Sequence, residues 1–265
     1  MKKAIIHLLS IALIMVACSK VPISGRRQVN LMPESDLIAM SLTQYGGFLK
    51  ENKVVPKNNA DAAMLQRVGN NISHSVEKYL KKHGQAKRFE GFKWEFNLVN
   101  DPIVNAWCMP GGKVVFYTGI LPITQNETGI AVVMGHEIAH AIARHGNERM
   151  SQSMIMAAGG TTINVLTSQK PETARALFIT AYGLGSTLGS LAYSRKHESE
   201  ADKMGLVFMA MAGYNPMEAP KFWQRMSAQG GQKPPQLLST HPSDASRIRE
   251  LNTFMPQALK YYKEK

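Results

Sequence analysis

The sequence predicts a mainly helical α+β fold, and three observations carry that reading. Apolar residues recur at helical spacing over most of the chain, as in Ile130, Val133, Met134, Ile138, Ala141 and Ile142. Lys113 to Thr118 is rich in β-branched and aromatic residues and follows Gly111-Gly112, a turn signal, so 105–118 reads as a small β-hairpin. The 265 residues are 44% hydrophobic, enough for one substantial core, and no repeat marks a second, so 33–265 is expected to be a single domain.

The elements follow in order. Lys2-Lys3 precede an apolar run from Ala4 to Ala17, and Cys18 follows Met15-Val16-Ala17. This resembles a lipoprotein signal peptide at 1–17 with lipidation at Cys18, although Met stands where the usual Leu would. The apolar run is about 14 residues, short of the roughly 20 that span a bilayer. Residues 18–32 then read as a polar tether. Pro33-Glu34-Ser35-Asp36 starts a helix to about Leu49, 52–59 is a loop, a second helix spans about 61–82, and 93–99 alternates like a strand. After the hairpin, 127–149 reads as one helix capped by Thr124 or Asn126. The stretch 150–191, rich in small residues and broken at Ser168-Gln169-Lys170-Pro171, reads as two loosely specified helical segments forming a mobile lid or a helical layer. A further helix begins near Ser194 and runs past Met209. A Gly, Gln and Pro-rich loop at 228–236 leads to His241 and a C-terminal helix.

Chemistry enters with His136-Glu137-Ile138-Ala139-His140. Positions four apart lie on one helix face, so His136 and His140 can bind one Zn2+, and Glu137 lies beside them where a carboxylate can take a proton from water. Catalytic zinc sites use three protein ligands. The third is expected from Ser194-Arg195-Lys196-His197-Glu198-Ser199-Glu200-Ala201-Asp202, where Glu198 would ligate and Asp202 would orient His136 or His140 through its non-ligating nitrogen. Glu200 is expected in solvent. His145, five residues past His140, is rotated off the zinc face of a continuous helix and is expected to be structural, as are His74, His83 and His197.

These residues carry a resemblance. HEIAH followed by SRKHESEAD, together with Asn105-Ala106-Trp107-Cys108-Met109-Pro110-Gly111-Gly112 and Ser239-Thr240-His241-Pro242-Ser243 with Arg247, is similar to the gluzincin metallopeptidases that include HtpX, the CAAX prenyl proteases and LoiP-type periplasmic lipoprotein proteases. The resemblance covers most of the chain after the signal. It implies a zincin-like fold, a zinc-dependent endopeptidase and Glu198 as third ligand. It also implies that the strand carrying Asn105, Ala106, Met109 and Gly111 binds substrate as an extended peptide. Cys108 departs from the small or apolar residue often found there, and its role is open.

His241 has three readings: a donor to the developing oxyanion, a fourth ligand that blocks zinc in a latent form, or a cap on the next helix. Arg247 is either a second oxyanion donor or part of a salt bridge. The expected setting is the bacterial envelope: a periplasm-facing lipoprotein, attached to the outer membrane, acting on misfolded or unassembled proteins and a possible partner of outer-membrane assembly machinery. The alternative is a tethered chaperone or assembly factor with fully coordinated zinc. The formal charge of +12 suits anionic surfaces, but the basic residues are scattered and no nucleic-acid motif is present.

Overall fold

The computed structural model describes residues 18–158, 171–182, 194–229, 237–238, 241 and 245–263. Its centre is α4 (Glu127–Ala143), in which every residue from Gly129 to Ala143 is buried. A helix apolar on all sides can be stable only inside, and α4 is enclosed by α2 (Ala60–Lys82), α7 (Arg195–Met211), α8 (Glu218–Ala228) and a three-stranded sheet. Asn126 starts α4 by accepting the Gly129 N–H at 2.9 Å, and Asn59 starts α2 by accepting from Asp61 and Ala62. The α2 stripe of Leu65, Val68, Ile72, Val76 and Leu80 is wholly buried, and Gly69 lies so close under Phe96 that no side chain would fit there.

The sheet has the order β3 (Glu95–Val99), β5 (Lys113–Tyr117), β4 (Ala106–Met109). β5 is central and buried along its length, parallel to β3 and antiparallel to β4. The expected hairpin is therefore present, its turn made by Gly111 and Gly112 at φ +80° and +79°. β4 is left at the edge, against α4.

One crossing positions everything that follows. A Cβ on Gly135 of α4 would stand 2.9 Å from the Gly205 carbonyl oxygen of α7, and one on Gly205 would stand 3.0 Å from the His136 nitrogen. The two helices thus meet backbone to backbone, and residues one and two turns before Gly205, Asp202 and Glu198, are carried onto His136 and His140.

Two expectations are corrected. The helix read over 127–149 is two helices: Arg144 adopts the left-handed region (φ 60°, ψ 37°), its N–H closing on His140 and Ala141 carbonyls, and α5 (His145–Ala158) leaves in a new direction. The Arg144 side chain holds this corner, donating to Lys87 O at 2.9 Å and pairing with Glu34 at 3.2 Å. The polar tether read at 18–32 is folded. Its β1 (Cys18–Lys20) and β2 (Arg27–Val29) pair antiparallel, Val21 is buried in the main core, and Leu31 N and Met32 O bond Ser151 and Asn147 of α5. The pattern was misread because a short hairpin closed by polar contacts to other elements has no apolar periodicity of its own.

The helices α5 and α6 (Pro171–Tyr182) pack Met150, Met154, Ala174 and Phe178 against Leu37 of α1 (Glu34–Glu51) and Met109 of β4, forming a second apolar cluster. The described part of 150–191 is thus helical and packed in this cluster; 159–170 and 183–193, on which the lid reading also falls, lie outside the described residues. A short α3 (Leu121–Thr124) precedes α4, and α9 (Ala245–Ala258) closes over α7 and α8. Among the described residues no helix is long and apolar enough to cross a membrane.

Candidate metal centre

The helix spacing of His136 and His140 and the α4–α7 crossing bring four donor groups to one point: His136, His140, Glu198 and His241, all buried. Nε2 of His136 lies 3.1 Å from Nε2 of His140 and 3.1 Å from Nδ1 of His241. Glu198 Oε1 lies 3.0 Å from His241 Nδ1 and 3.3 Å from His140 Nε2, and Oε2 lies 3.4 Å from His136 Nε2. Four N/O ligands at about 2.0–2.1 Å from one zinc ion stand about 3.3 Å apart, so these separations fit a tetrahedral ion. Two buried carboxylate oxygens, Glu137 Oε1 and Glu198 Oε2, have no hydrogen-bond partner among the described residues, although Arg247 Nη1 stands 3.3 Å from the latter as an ion partner. Orphaned buried acceptors beside converging imidazole nitrogens are what a divalent cation would satisfy.

The histidines are oriented from behind. Asp202 Oδ1 accepts the Nδ1 proton of His136 at 3.0 Å, which leaves Nε2 unprotonated toward the donor cluster. Arg247 clamps Asp202 with two hydrogen bonds, 2.8 Å from Nε and 2.6 Å from Nη2, donates to His241 O at 3.3 Å, and lies 3.3 Å over the Trp223 ring. Burial opposes charging of His136, but Asp202 and Glu198 outweigh it and raise its pKa; burial dominates at His140, whose pKa falls well below 6.5.

Behind His140 stands His145, its Nδ1 2.9 Å from Nδ1 of His140 and its Nε2 2.8 Å from Glu200 Oε2. The left-handed corner at Arg144 is what returns His145 to the site. A carboxylate only accepts, so His145 donates from Nε2; burial lowers its pKa to about 4, it is neutral, and its Nδ1 accepts the His140 proton. His140 Nε2 is thereby left unprotonated as well, 3.3 Å from Glu198 Oε1. Glu200, expected in solvent, is 6% exposed and buried by this contact and by Arg26. Sequence periodicity missed His145, Glu200, Glu148, Arg26 and Trp223; the only local signal was the density of His and Glu at 145–148 and 197–200.

Glu137 is buried beside the cluster, its Oε1 3.5 Å from His241 Nε2, and burial raises its pKa to about 7. His241 is held by its own backbone: its N–H bonds Leu237 O at 2.8 Å, and Leu237 N bonds Val104 O at 3.1 Å, just before β4. Cys108 is buried with its thiol on Met109 O at 3.6 Å, outside the donor cluster, and burial and the nearby Glu137 charge hold it protonated. On the hairpin, Asn105 is buried with Oδ1 accepting from Ala106 N, the Met109 side chain belongs to the second apolar cluster, and Gly111 O accepts from Lys93 N in the turn. His74 and His83 are exposed, on α2 and at its end, and are not among the donor group.

Residues 67–254 match Peptidase family M48. Mitochondrial metalloendopeptidase OMA1 of Arabidopsis thaliana is 37% identical over 196 residues, 73% of this chain and 38% of that protein. The OMA1 of Schizosaccharomyces pombe is 33% identical over 248 residues, 90% of this chain and 66% of that protein. The beta-barrel assembly-enhancing protease of Escherichia coli is 28% identical over 162 residues, 59% of this chain and 33% of that protein. The chain thus spans between about a third and two thirds of the length of these curated relatives.

Proposed function

Because the chain belongs to peptidase family M48, we propose that it is a zinc metalloendopeptidase, and the observation that carries this is the convergence of His136, His140 and Glu198 beside the buried carboxylate of Glu137. His136, His140 and Glu198 would hold the ion. When bound, zinc supplies a positive charge that acidifies water and polarises the scissile carbonyl. Glu137, with a pKa near neutrality, accepts a proton from the attacking water and returns it to the leaving amine. Asp202 holds the imidazole of His136, and Arg247 acts through Asp202, since its guanidinium is already engaged by Asp202, Glu198 and His241 O. The edge strand β4, entered through Asn105 and Ala106 and ending at Met109 and the Gly111 turn, offers backbone groups to an extended peptide.

The placement of His241 Nδ1 among the donors supports a second reading of the same site. In a resting form His241 Nδ1 would serve as a fourth ligand, as in closed structural zinc sites, while its Nε2 stands 3.5 Å from Glu137 Oε1, where a displaced His241 could donate to the oxyanion. A membrane-tethered assembly factor with latent proteolysis is the limiting case.

We further propose lipidation at Cys18, a periplasm-facing position at the outer membrane, and misfolded or unassembled envelope proteins as substrates. The lipobox-like segment supports the first, and the similarity to the Escherichia coli beta-barrel assembly-enhancing protease supports a role at the outer membrane.

The test is cleavage of casein by the full chain in detergent, with zinc content measured on each sample. Wild type should cleave, Glu137→Gln should keep its zinc and lose at least about a hundredfold in rate, and His241→Ala should be faster if His241 blocks the site. A zinc-replete Glu137→Gln protein with normal turnover would sink the assignment.

A further inference from the structure

The N-terminal hairpin reaches the metal centre. Arg26, in the turn before β2, lies between Glu148 of α5 and Glu200 of α7, 2.7 Å from Glu148 Oε1, 2.6 Å from Glu148 Oε2, 2.7 Å from Glu200 Oε2 and 3.1 Å from Glu200 Oε1. Its side chain is 13% exposed and the two carboxylates are 9% and 5% exposed. Ser24 of the same turn donates to Glu200 Oε1. Glu148 accepts from His197 Nε2 at 3.1 Å, and the His197 ring stacks on His145 with centroids 4.5 Å apart. Glu200 is therefore fixed on three sides, by Ser24, Arg26 and His145, and His145 is fixed by Glu200 below, His197 across its face and His140 ahead.

We propose that Arg26 is a positioning residue for the metal ligand His140, acting through Glu200 and His145. The inference rests on His140 being a zinc ligand. The geometry is specific: one guanidinium bridges two buried carboxylates that would otherwise repel, and so keeps Glu200 Oε2 on His145 Nε2. With Oε2 held there, His145 presents a bare Nδ1 to His140, and His140 points its own bare Nε2 at the other donors. Without Arg26 the turn loses its bond to Glu148 of α5 and holds Glu200 of α7 through Ser24 alone, so that Glu200 is less firmly fixed on His145 and the orientation of His140 is no longer dictated. Arg26 lies outside the segment that matches the peptidase family, so the site is completed by a part of the chain that this match does not include.

The test uses the full chain and zinc alone, with affinity measured by chelator competition and melting measured on the zinc-free protein. Arg26→Gln should weaken zinc about tenfold to a hundredfold, the range for groups that orient a ligand, and Arg26→Lys, which keeps the charge but not the fork, should fall between it and wild type. In a His145→Phe background Arg26→Gln should cost less than twofold further, because the path is already cut. Unchanged zinc affinity in Arg26→Gln with a lowered zinc-free melting temperature would reduce Arg26 to a clamp on the hairpin and overturn the proposal, as would losses that multiply in the double variant. If Arg26→Gln fails to fold, Arg26→Lys and Ser24→Ala carry the same comparison. Should the wild type itself bind no zinc, or His140→Ala bind it as well as wild type, the metal reading fails instead.

Discussion

His136 and His140 sit four residues apart on one helix and offer the same nitrogen to the same point, yet they are held by different devices. Behind His136 a carboxylate, Asp202, accepts directly and is itself clamped by Arg247 on the face of Trp223. Behind His140 a neutral imidazole intervenes, and the carboxylate, Glu200, is one step further away and clamped by Arg26. Each support ends in an arginine forked onto a carboxylate, one from the C-terminal helix α9 and one from the N-terminal hairpin. The difference is electrostatic. A carboxylate in contact raises the basicity of its ligand, which is why the pKa of His136 rises while that of His140 falls. The histidine relay orients without adding a third negative charge next to Glu198 and Glu137. The first ligand is tuned and oriented; the second is oriented only.

The largest effect should come from breaking the direct support. Asp202→Ala removes the bidentate partner of the buried Arg247 guanidinium, leaving Glu198 at 3.3 Å as its carboxylate, and is expected to cost up to about 3–5 kcal/mol in urea unfolding of the zinc-free chain, with zinc affinity falling as well. His145→Phe should lower zinc affinity while costing the zinc-free protein far less. Equal stability losses from the two would erase the distinction between tuned and relayed ligands.

A smaller effect should strike both supports at once. Gly135→Ala pushes a methyl group to 2.9 Å from the Gly205 carbonyl, so α7 must shift against α4. A loss of about 1–3 kcal/mol is expected, as for overpacking elsewhere, together with weaker zinc binding. A stable variant with unaltered affinity would show that Glu198 and Asp202 do not depend on that crossing.

The smallest expected effect is on acid stability, and it isolates the relay side. Burial alone would push the Glu148 carboxyl up, but hydrogen bonds from His197 and Arg26 overcome it and hold its pKa at about 2, against an ordinary 4.5. A folded-state pKa below the unfolded one means that this stabilisation is complete above about pH 4.5 and is lost as the pH falls toward 2. The urea midpoint of the zinc-free chain should therefore decline more over that window in wild type than in Glu148→Gln. Parallel curves would deny Glu148 its share of the network.

Much of the His136 side was legible in the sequence and little of the His140 side was. HExxH and ExxxD are read by helical geometry alone, because each lies within one uninterrupted helix. The same geometry reads His145 as structural and off the zinc face, and it does lie outside the donor cluster; its bond to His140 is not legible there, because Arg144 turns left-handed and begins a new helix at His145. Glu200 follows Glu198 by two, which on α7 points it away from Glu198, toward the hairpin and not toward water. Arg26 stands 122 residues from Glu148 and 174 from Glu200, and nothing in the polar stretch 18–32 announces that it folds back.

Local sequence by itself determined which residues can ligate, where α2 and α7 run and where α4 starts, and the turn of the β4–β5 hairpin, because helical and strand periodicity and the positive-φ preference of glycine act over a few residues. Only the tertiary structure decided that Glu200 is buried against the hairpin, that His241 joins the donors, and that Arg26 and Arg247 supply the clamping guanidiniums. Those outcomes depend on how closely α4 and α7 approach at Gly135 and Gly205 and on which buried charges must find partners, and both are settled by packing and desolvation across the whole molecule.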